Sequence, residues 1–277
     1  MIPRSGRSFT PSRSPPIGSA SSTGGRSIDL NADLGEGAGT ERLAEDEKLL
    51  SLVSSANIAC GYHAGDAVTI RDTVRAAHER GVSIGAHPSF PDKLGFGRRE
   101  MRIADDELQR HIVKQIEILA EECGRAGATL RYVKPHGALY NLASRERRAA
   151  DVIASSVAAV DRELVLLGLA GNEMLAAARD AGLLTAAEAF ADRGYADDGT
   201  LVPRGQNGAL LEDPETIAAR ALRLIRDGKL TSRDGKELSI RADSLCTHGD
   251  GPNAFAILQR LRSDLEGAGI GIAPFAS

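Results

Sequence analysis

Three cysteines in 277 residues, Cys60, Cys123 and Cys246, are too few and too far apart for a disulfide framework. With no CxxC spacing they make no structural zinc site either, and a reducing, cytoplasmic location is expected. No apolar run approaches the ~20 residues of a membrane-spanning helix, and no stretch has the shape of a secretory signal. Charge of one sign is missing as well. The 34 Lys and Arg stand against 38 Asp and Glu, a formal net of −4, which gives neither the basic field of a nucleic-acid binder nor an acidic tail. The sequence also lacks a GxxxxGK(S/T) phosphate loop, a GxSxG elbow, HExxH and the kinase signatures, which disfavours nucleophilic serine chemistry.

What is present is a chain 42% apolar, enough for one large core. Residues 1–26 are Ser, Pro, Gly and Arg with almost no apolar content, so they read as a disordered basic tail; a transit peptide or a misplaced start codon would give the same letters. From Ser27 to the C-terminus, short apolar runs alternate with longer amphipathic stretches, the pattern of βα units around a parallel sheet. Strands are expected over 27–32, 55–60, 82–86, 130–134, 164–168, 183–188 and 243–247. Helices are expected over 44–53, 66–80, 105–126, 145–160, 172–181, 213–227 and 253–267. Seven repeats predict an α/β fold of one (β/α) barrel-like domain over 27–277, with an open doubly wound sheet as the alternative. Two Gly-, Pro- and charge-rich stretches, 90–99 and 194–211, break the rhythm and suit loops that cover a site. Residues 228–242 look like a small turn-linked excursion.

Four of the six histidines, His63, His87, His136 and His248, fall at the C-terminal ends of expected strands, where α/β folds place their ligands. Each single one is more often a structural hydrogen-bonder; four on one rim are harder to explain so. His78 and His111 lie inside expected helices and receive no role. Strand ends also carry Asn31, Asp33 and Glu36 beside turn glycines, while Asp66 reads as a helix N-cap. Lys134 ends an apolar strand and needs a partner, for which Asp33 and Glu188 are the candidates. Arg98 and Arg99 in the 90–99 loop offer guanidinium groups to an anion, an ordinary surface ion pair accounts for Asp192 and Arg193, and Asp250 stands in a strand-to-helix turn that matches GxGxxA weakly. Such acids and imidazoles hold a divalent metal or act without one as general acid and base.

The blocks NADLGEG, SSANIACGYHAGD, IGAHPSFPDKLGFGRR, VKPHGALYN, EAFADRGYADDGTLVPR and ADSLCTHGD resemble, in this order, the LamB/YcsF family. The resemblance implies the A component of an ATP-dependent 5-oxoprolinase, which with subunits B and C opens the lactam of 5-oxo-L-proline to L-glutamate. It further implies a seven-stranded barrel related to glycoside hydrolases and polysaccharide deacetylases. Carried over from those relatives, Asp33, His63 and His136 are the candidate ligands of a divalent metal. On this reading Asp33, Glu36, His63, His87, Lys134, His136, Glu188, Asp192 and His248 form the catalytic set, with Asn31, Arg98, Arg193 and Asp250 binding substrate or phosphate. Lys134, Arg98 and His248 would steady a phosphorylated intermediate, and Glu188 and Asp192 would move protons. Tyr62, Ala67 and Gly251 depart from the family pattern without removing an ionisable group. A stand-alone metal-dependent amidohydrolase or carbohydrate deacetylase, and a non-catalytic scaffold protein of the complex, are the rival functions.

Overall fold

The computed structural model describes residues 26–37, 39–247 and 253–277. The tail expected over 1–26 lies outside the described residues except for Arg26, and so do His248, Asp250 and the glycines at 249 and 251. Arg26 donates from Nη1 to the carbonyls of Ile225 and Arg226, at 2.8 and 3.0 Å.

The strands β1 (Ser27–Leu34), β2 (Ser55–Ala59), β3 (Ser83–His87), β4 (Leu130–Val133), β5 (Val165–Leu169) and β6 (Thr185–Phe190) pair in chain order, all parallel. A hairpin of β7 (Lys229–Thr231) and β8 (Glu237–Ser239) follows, which is the excursion expected at 228–242. Next comes β9 (Ser244–Thr247), which pairs with β6 on one side and with β1 on the other, so the sheet closes. That closure, with Asp29 opposite Ser244 and Ala32 opposite Thr247, selects the barrel over the open sheet. A last short strand, β10 (Gly271–Ile272), adds to the start of β1.

Helices cover the outside: α1 (Thr40–Leu50), α2 (Ala67–Glu79), α3 (Asp105–Ala126), α4 (Gly137–Arg145), α5 (Arg147–Val160), α6 (Glu173–Asp180), α7 (Pro214–Asp227) and α8 (Ala254–Gly267). Their limits follow local chemistry. Asp66 caps α2 by accepting from Thr69 N at 2.8 Å, as its position predicts, and Asp213 does the same for Thr216 N with Pro214 in the first turn of α7. The single helix expected over 145–160 is α5, and α4 before it was not foreseen. Gly137, at φ +57°, starts α4 only three residues after β4, a connection too short to signal it.

Strand alternation separates two interiors. Ile28, Leu30, Ala32 and Leu34 of β1 face the helices, where Ile58, Val74, Ile112, Ile116, Leu119, Ile153 and Leu261 complete a fully packed shell. Asp29, Asn31 and Asp33 of the same strand face the barrel axis and meet polar groups from across it. Tyr132 fills the axis because β3 has Gly85 opposite; a Cβ there would lie 2.1 Å from the Tyr132 ring. The tyrosine hydroxyl donates to Asn57 Oδ1 at 2.7 Å. Below it the C-terminal residues close the barrel floor, with Phe275 edge-on to Tyr132 and Ser83 Oγ donating to the Ala276 carbonyl.

Asp29 sits in this polar axis, 1% exposed, accepting hydroxyl hydrogens from Ser54 and Ser55 at 2.6 Å and from Ser244. Burial outweighs those three hydrogen bonds and pushes its carboxyl up to about 6 from 3.8. Between these values the folded state binds more protons than the unfolded one, so stability falls as pH rises through that window and stays at the lower level above it. The ionised carboxylate should therefore cost roughly 3 kcal/mol at neutral pH. Urea unfolding from pH 4 to 7 is expected to show this decline in the wild type and a flatter profile in Asp29→Asn; parallel profiles would place the cost elsewhere.

Candidate active site

The ring opens at the C-terminal ends of its strands onto a cavity of about 670 Å³. Asp33, His87, Lys134 and His136 line its inner end, and Arg98, Arg145, Arg193 and Arg204 stand around it with Glu100 and Asp198. The candidates at the ends of β1, β2, β3, β4 and β6 thus do converge on one rim.

Lys134 is the centre of that rim. Its Nζ lies 3.1 Å from Asp33 Oδ1, 2.9 Å from Glu188 Oε1, 3.1 Å from Asn31 Oδ1 and 3.0 Å from Cys246 Sγ. Both partners proposed from the sequence are therefore engaged. Burial opposes the ammonium, but Asp33, Cys246 and Glu188 outweigh it and hold the lysine protonated, well above its ordinary range. Asn31 bridges the acids from below, donating to Glu188 Oε1 at 2.9 Å and to Ser244 Oγ at 2.7 Å. Glu188 is fully buried, and its other oxygen accepts the Tyr140 hydroxyl at 2.9 Å. It stands behind Lys134 and Tyr140 instead of facing the cavity, which fits positioning Lys134 better than passing a proton.

The three imidazoles at the rim have their tautomers set by their acceptors. His87 Nδ1 donates to the Lys134 carbonyl at 2.7 Å and His136 Nε2 to the Phe96 carbonyl at 2.9 Å. His63 Nδ1 donates to Ser89 Oγ at 2.9 Å, whose own hydrogen goes to the Phe90 carbonyl. In the neutral rings the remaining nitrogens carry lone pairs, and all three point into one space. Glu36 Oε1 lies 3.2 Å from His63 Nε2, 3.2 Å from His136 Nδ1 and 4.0 Å from His87 Nε2. His87 Nε2 is 3.0 Å from His136 Nδ1 and 3.4 Å from Asp33 Oδ1. Imidazole lone pairs and carboxylate oxygens so close together repel unless a positive charge sits among them, and imidazoles anchored through their far nitrogen are the arrangement of metal ligands.

The atoms that fit one cation are those of Asp33, Glu36, His87 and His136, all within 4.8 Å of one another. The expectation from the sequence is Asp33, His63 and His136. Here His87 occupies the position given to His63, which stacks on His136 at 3.9 Å and joins the cluster through Glu36. Burial drives the His63 imidazole down to about 4, which keeps the ring neutral with its Nε2 lone pair toward Glu36. His63 and Glu36 form a rear layer, and Asp33, His87 and His136 form the layer the cavity reaches.

Arg98 lies 4.9 Å over the Phe96 ring on the cavity wall. Arg193 is 3% exposed, with Nε on the Ala209 carbonyl and Nη2 on the Val202 carbonyl. Burial first, and Arg204 second, lower its guanidinium to about 10. Asp192 beside it is buried as well and does not line the cavity, so the two are not the surface ion pair expected from the sequence, and Arg193 turns to backbone carbonyls instead. His248 and Asp250 lie outside the described residues. Three residues that matter were not singled out from the sequence. Tyr140 holds Glu188, Arg204 lines the cavity from the 194–211 stretch, and Phe96 offers its carbonyl to His136 from a left-handed backbone at φ +55°. Only the Gly-rich character of 90–99 signalled the last.

A family model described as LamB/YcsF matches residues 28–277. The chain is 50% identical over 248 residues to the 5-oxoprolinase A component of Methylococcus capsulatus, covering 90% of this chain and 95% of that one. It is 46% identical over 250 residues to the corresponding 5-oxoprolinase component of Bacillus licheniformis, covering 90% and 99%. Among solved structures it resembles the lactam utilization protein of Thermus thermophilus, with 44% identity, a TM-score of 0.84 and coverage of 89% and 99%.

The rear wall of the cluster is backbone. A Cβ on Gly97, at φ +64°, would lie 2.9 Å from His136 Cδ2 and 2.9 Å from His63 Cβ. Gly97→Ala is expected to cost about 1–2 kcal/mol for the left-handed conformation alone and to displace both imidazoles. Urea unfolding reads the first effect and ring ¹⁵N shifts of the histidines the second; unaltered shifts would mean that this loop does not place the rings.

Proposed function

Because the chain belongs to the LamB/YcsF family, we propose that it is the lactam-binding component of an ATP-dependent 5-oxoprolinase. In a complex with subunits B and C it opens 5-oxo-L-proline to L-glutamate with cleavage of ATP. The observation that carries this reading is the inner end of the cavity, where the Lys134 ammonium, the Asp33 carboxylate and two inward imidazole lone pairs face one space large enough for a small cyclic amide.

A lactam is a stable amide, and phosphorylation of its oxygen by ATP turns it into an electrophile with a leaving group. A first water loses a proton as it attacks the former carbonyl carbon, the ring nitrogen gains one as the C–N bond breaks to leave an acyl phosphate, and a second water hydrolyses that acyl phosphate to L-glutamate and phosphate. Lys134 donates to the oxygen on which negative charge develops, held in place by Glu188 and Asn31. Asp33 is the carboxylate at the inner end of the cavity, beside Lys134, and it accepts the proton from the attacking water. Glu36 and His63 stand behind the two cavity-facing imidazoles, His87 and His136. Asp33, Glu36, His87 and His136 fit a divalent metal by donor type and by their inward lone pairs, and such an ion supplies Lewis-acid polarisation of oxygen when bound.

The metal-type cluster also favours one second reading, a metal-dependent amidohydrolase that needs no ATP. A glutamate-release assay on the chain with B, C, ATP and 5-oxo-L-proline separates them. Release that requires all four components, with one phosphate formed per glutamate, is expected; release by the chain alone, without ATP, would replace the first reading by the second.

In the reconstituted complex Lys134→Met should lower turnover by about 10²–10³, since it removes the ammonium that donates and keeps an unbranched apolar chain in its place. Either substitution, methionine or alanine, leaves Asp33 and Glu188 buried without their cation, a cost of about 3–5 kcal/mol, and alanine adds a void to it, so circular dichroism establishes the fold of Lys134→Met before turnover is read. Full turnover in folded Lys134→Met would remove the lysine from the mechanism. Elemental analysis of the purified chain is expected to give close to one divalent metal per chain, lost in His87→Ala with the circular dichroism unchanged. A chelated, metal-free protein that turns over at the full rate would leave the cluster to protons alone.

A further inference from the structure

The cavity is larger than its chemistry needs. A five-membered lactam bound at Asp33, His87, Lys134 and His136 leaves much of the 670 Å³ unfilled, and the remaining wall is rich in arginine. The four arginines are not equivalent. Arg145 is committed to Glu100 in an ion pair and to the Asn141 carbonyl, and Arg98 lies over the Phe96 ring. Arg193 and Arg204 differ: among the described residues no carboxylate forms an ion pair with either one.

Arg193 is buried and held by two carbonyls, Ala209 and Val202, which fix its plane without neutralising its charge. Arg204 follows two residues after the Val202 carbonyl, half-buried, and lines the same cavity. The strand-like strap that carries them is braced, with Tyr195 bridged to Leu201, Arg193 bridged to Leu210, and Val202 N donating to the Gly194 carbonyl at 2.9 Å. Two guanidinium groups on a braced strap, one of them desolvated, form a site waiting for an anion.

We propose that Arg193 and Arg204 bind the single carboxylate of the lactam acid and so select 5-oxo-L-proline over lactams without an acid group. The inference rests on the proposed function and deepens it. A carboxylate fits better than a polyphosphate because Glu100 and Asp198 line the same cavity and Asp33 closes its inner end. Glu100 and Asp33 are already paired with Arg145 and Lys134, so the two charges of Arg193 and Arg204 suffice for a monoanion and fall short of a polyphosphate beside Asp198. The guanidinium fork also matches the two oxygens of a carboxylate, and a charged hydrogen bond of this kind changes affinity by about one to two orders of magnitude.

The test is kinetic, in the complex with B and C. Arg204→Ala should raise KM for 5-oxo-L-proline by about tenfold or more while KM for ATP stays within about twofold, and Arg204→Lys should recover part of the loss. Arg193→Lys, which keeps the charge and loses the fork, should shift the same KM in the same direction. A rise in KM for ATP with KM for the lactam unchanged would assign the pair to phosphate and overturn the proposal. Equal rises in both, or a fall in kcat alone, would overturn it too. If the wild-type complex releases no glutamate, the proposed function fails, and calorimetry on the full chain decides the subsite separately. Tighter binding of 5-oxo-L-proline than of 2-pyrrolidinone, with the preference erased in Arg204→Ala, upholds it; equal affinity for the two lactams defeats it.

Discussion

One buried ammonium ties the molecule together at its functional end. Lys134 reaches from β4 to acceptors on β1, β6 and β9, strands far from it and from one another in the chain. The desolvation of Lys134, Asp33 and Glu188 is offset only while all three stay together, because an ion left alone in such a place costs several kcal/mol. The barrel is therefore bound to close in the register that brings these ends level. The same contact that secures the closure presents a cation to the cavity, so stability and chemistry draw on one side chain.

The charge balance around that lysine explains much of the rest. Asp29, Asp33, Glu36 and Glu188 all lie along or at the top of the barrel axis, and Lys134 is the one lysine among them. Acids in excess need hydroxyls, protons or a further cation. Asp29, deepest, takes three hydroxyls and still has its carboxyl raised to about 6. Glu188 takes an amide, an ammonium and a phenol. Asp33 takes the same ammonium and the Asn57 amide, and it and Glu36 also face the imidazoles of His63, His87 and His136, whose hydrogens are already given to Ser89, Lys134 and Phe96. The negative potential thus collects at the one point where nitrogen lone pairs also collect, which is what a cation-binding site consists of.

Most of this constellation was legible in the sequence, for a simple reason. A polar residue closing an apolar run in an α/β chain has few places to go other than the rim, so Asp33, His63, His87, Lys134, His136 and Glu188 gave themselves away by position. Depth was not legible. Whether a rim residue faces the cavity or stands behind its neighbour depends on pleat and stagger, and that is what sets His87 forward of His63 and hides Glu188 behind Lys134 and Tyr140. Residues outside the regular elements were harder still. Arg204 sits in a stretch with no period, α4 begins only three residues after β4, and the Phe96 carbonyl is a backbone group that no side-chain pattern reveals.

The loop that supplies this carbonyl shows how the site withstands its own repulsion. Phe96 and Gly97 both adopt left-handed backbone, and the Gly97 carbonyl accepts from Ala138 N at 2.9 Å at the start of α4. Asp92 and Arg99 pair across the loop, and Asp92 also accepts from Gly95 N at 2.9 Å, so the turn is fixed at both ends. A non-glycine residue at positive φ is held at a cost, and such strain persists only where surrounding contacts over-determine it. Here the return is orientation. Without the Phe96 acceptor the His136 ring is free to flip and turn an N–H toward His87 and Glu36, relieving the crowding and removing a ligand lone pair. A strained backbone and an anchored imidazole are in this sense two parts of one device, which keeps a cluster of like-natured donors facing inward until a positive charge arrives.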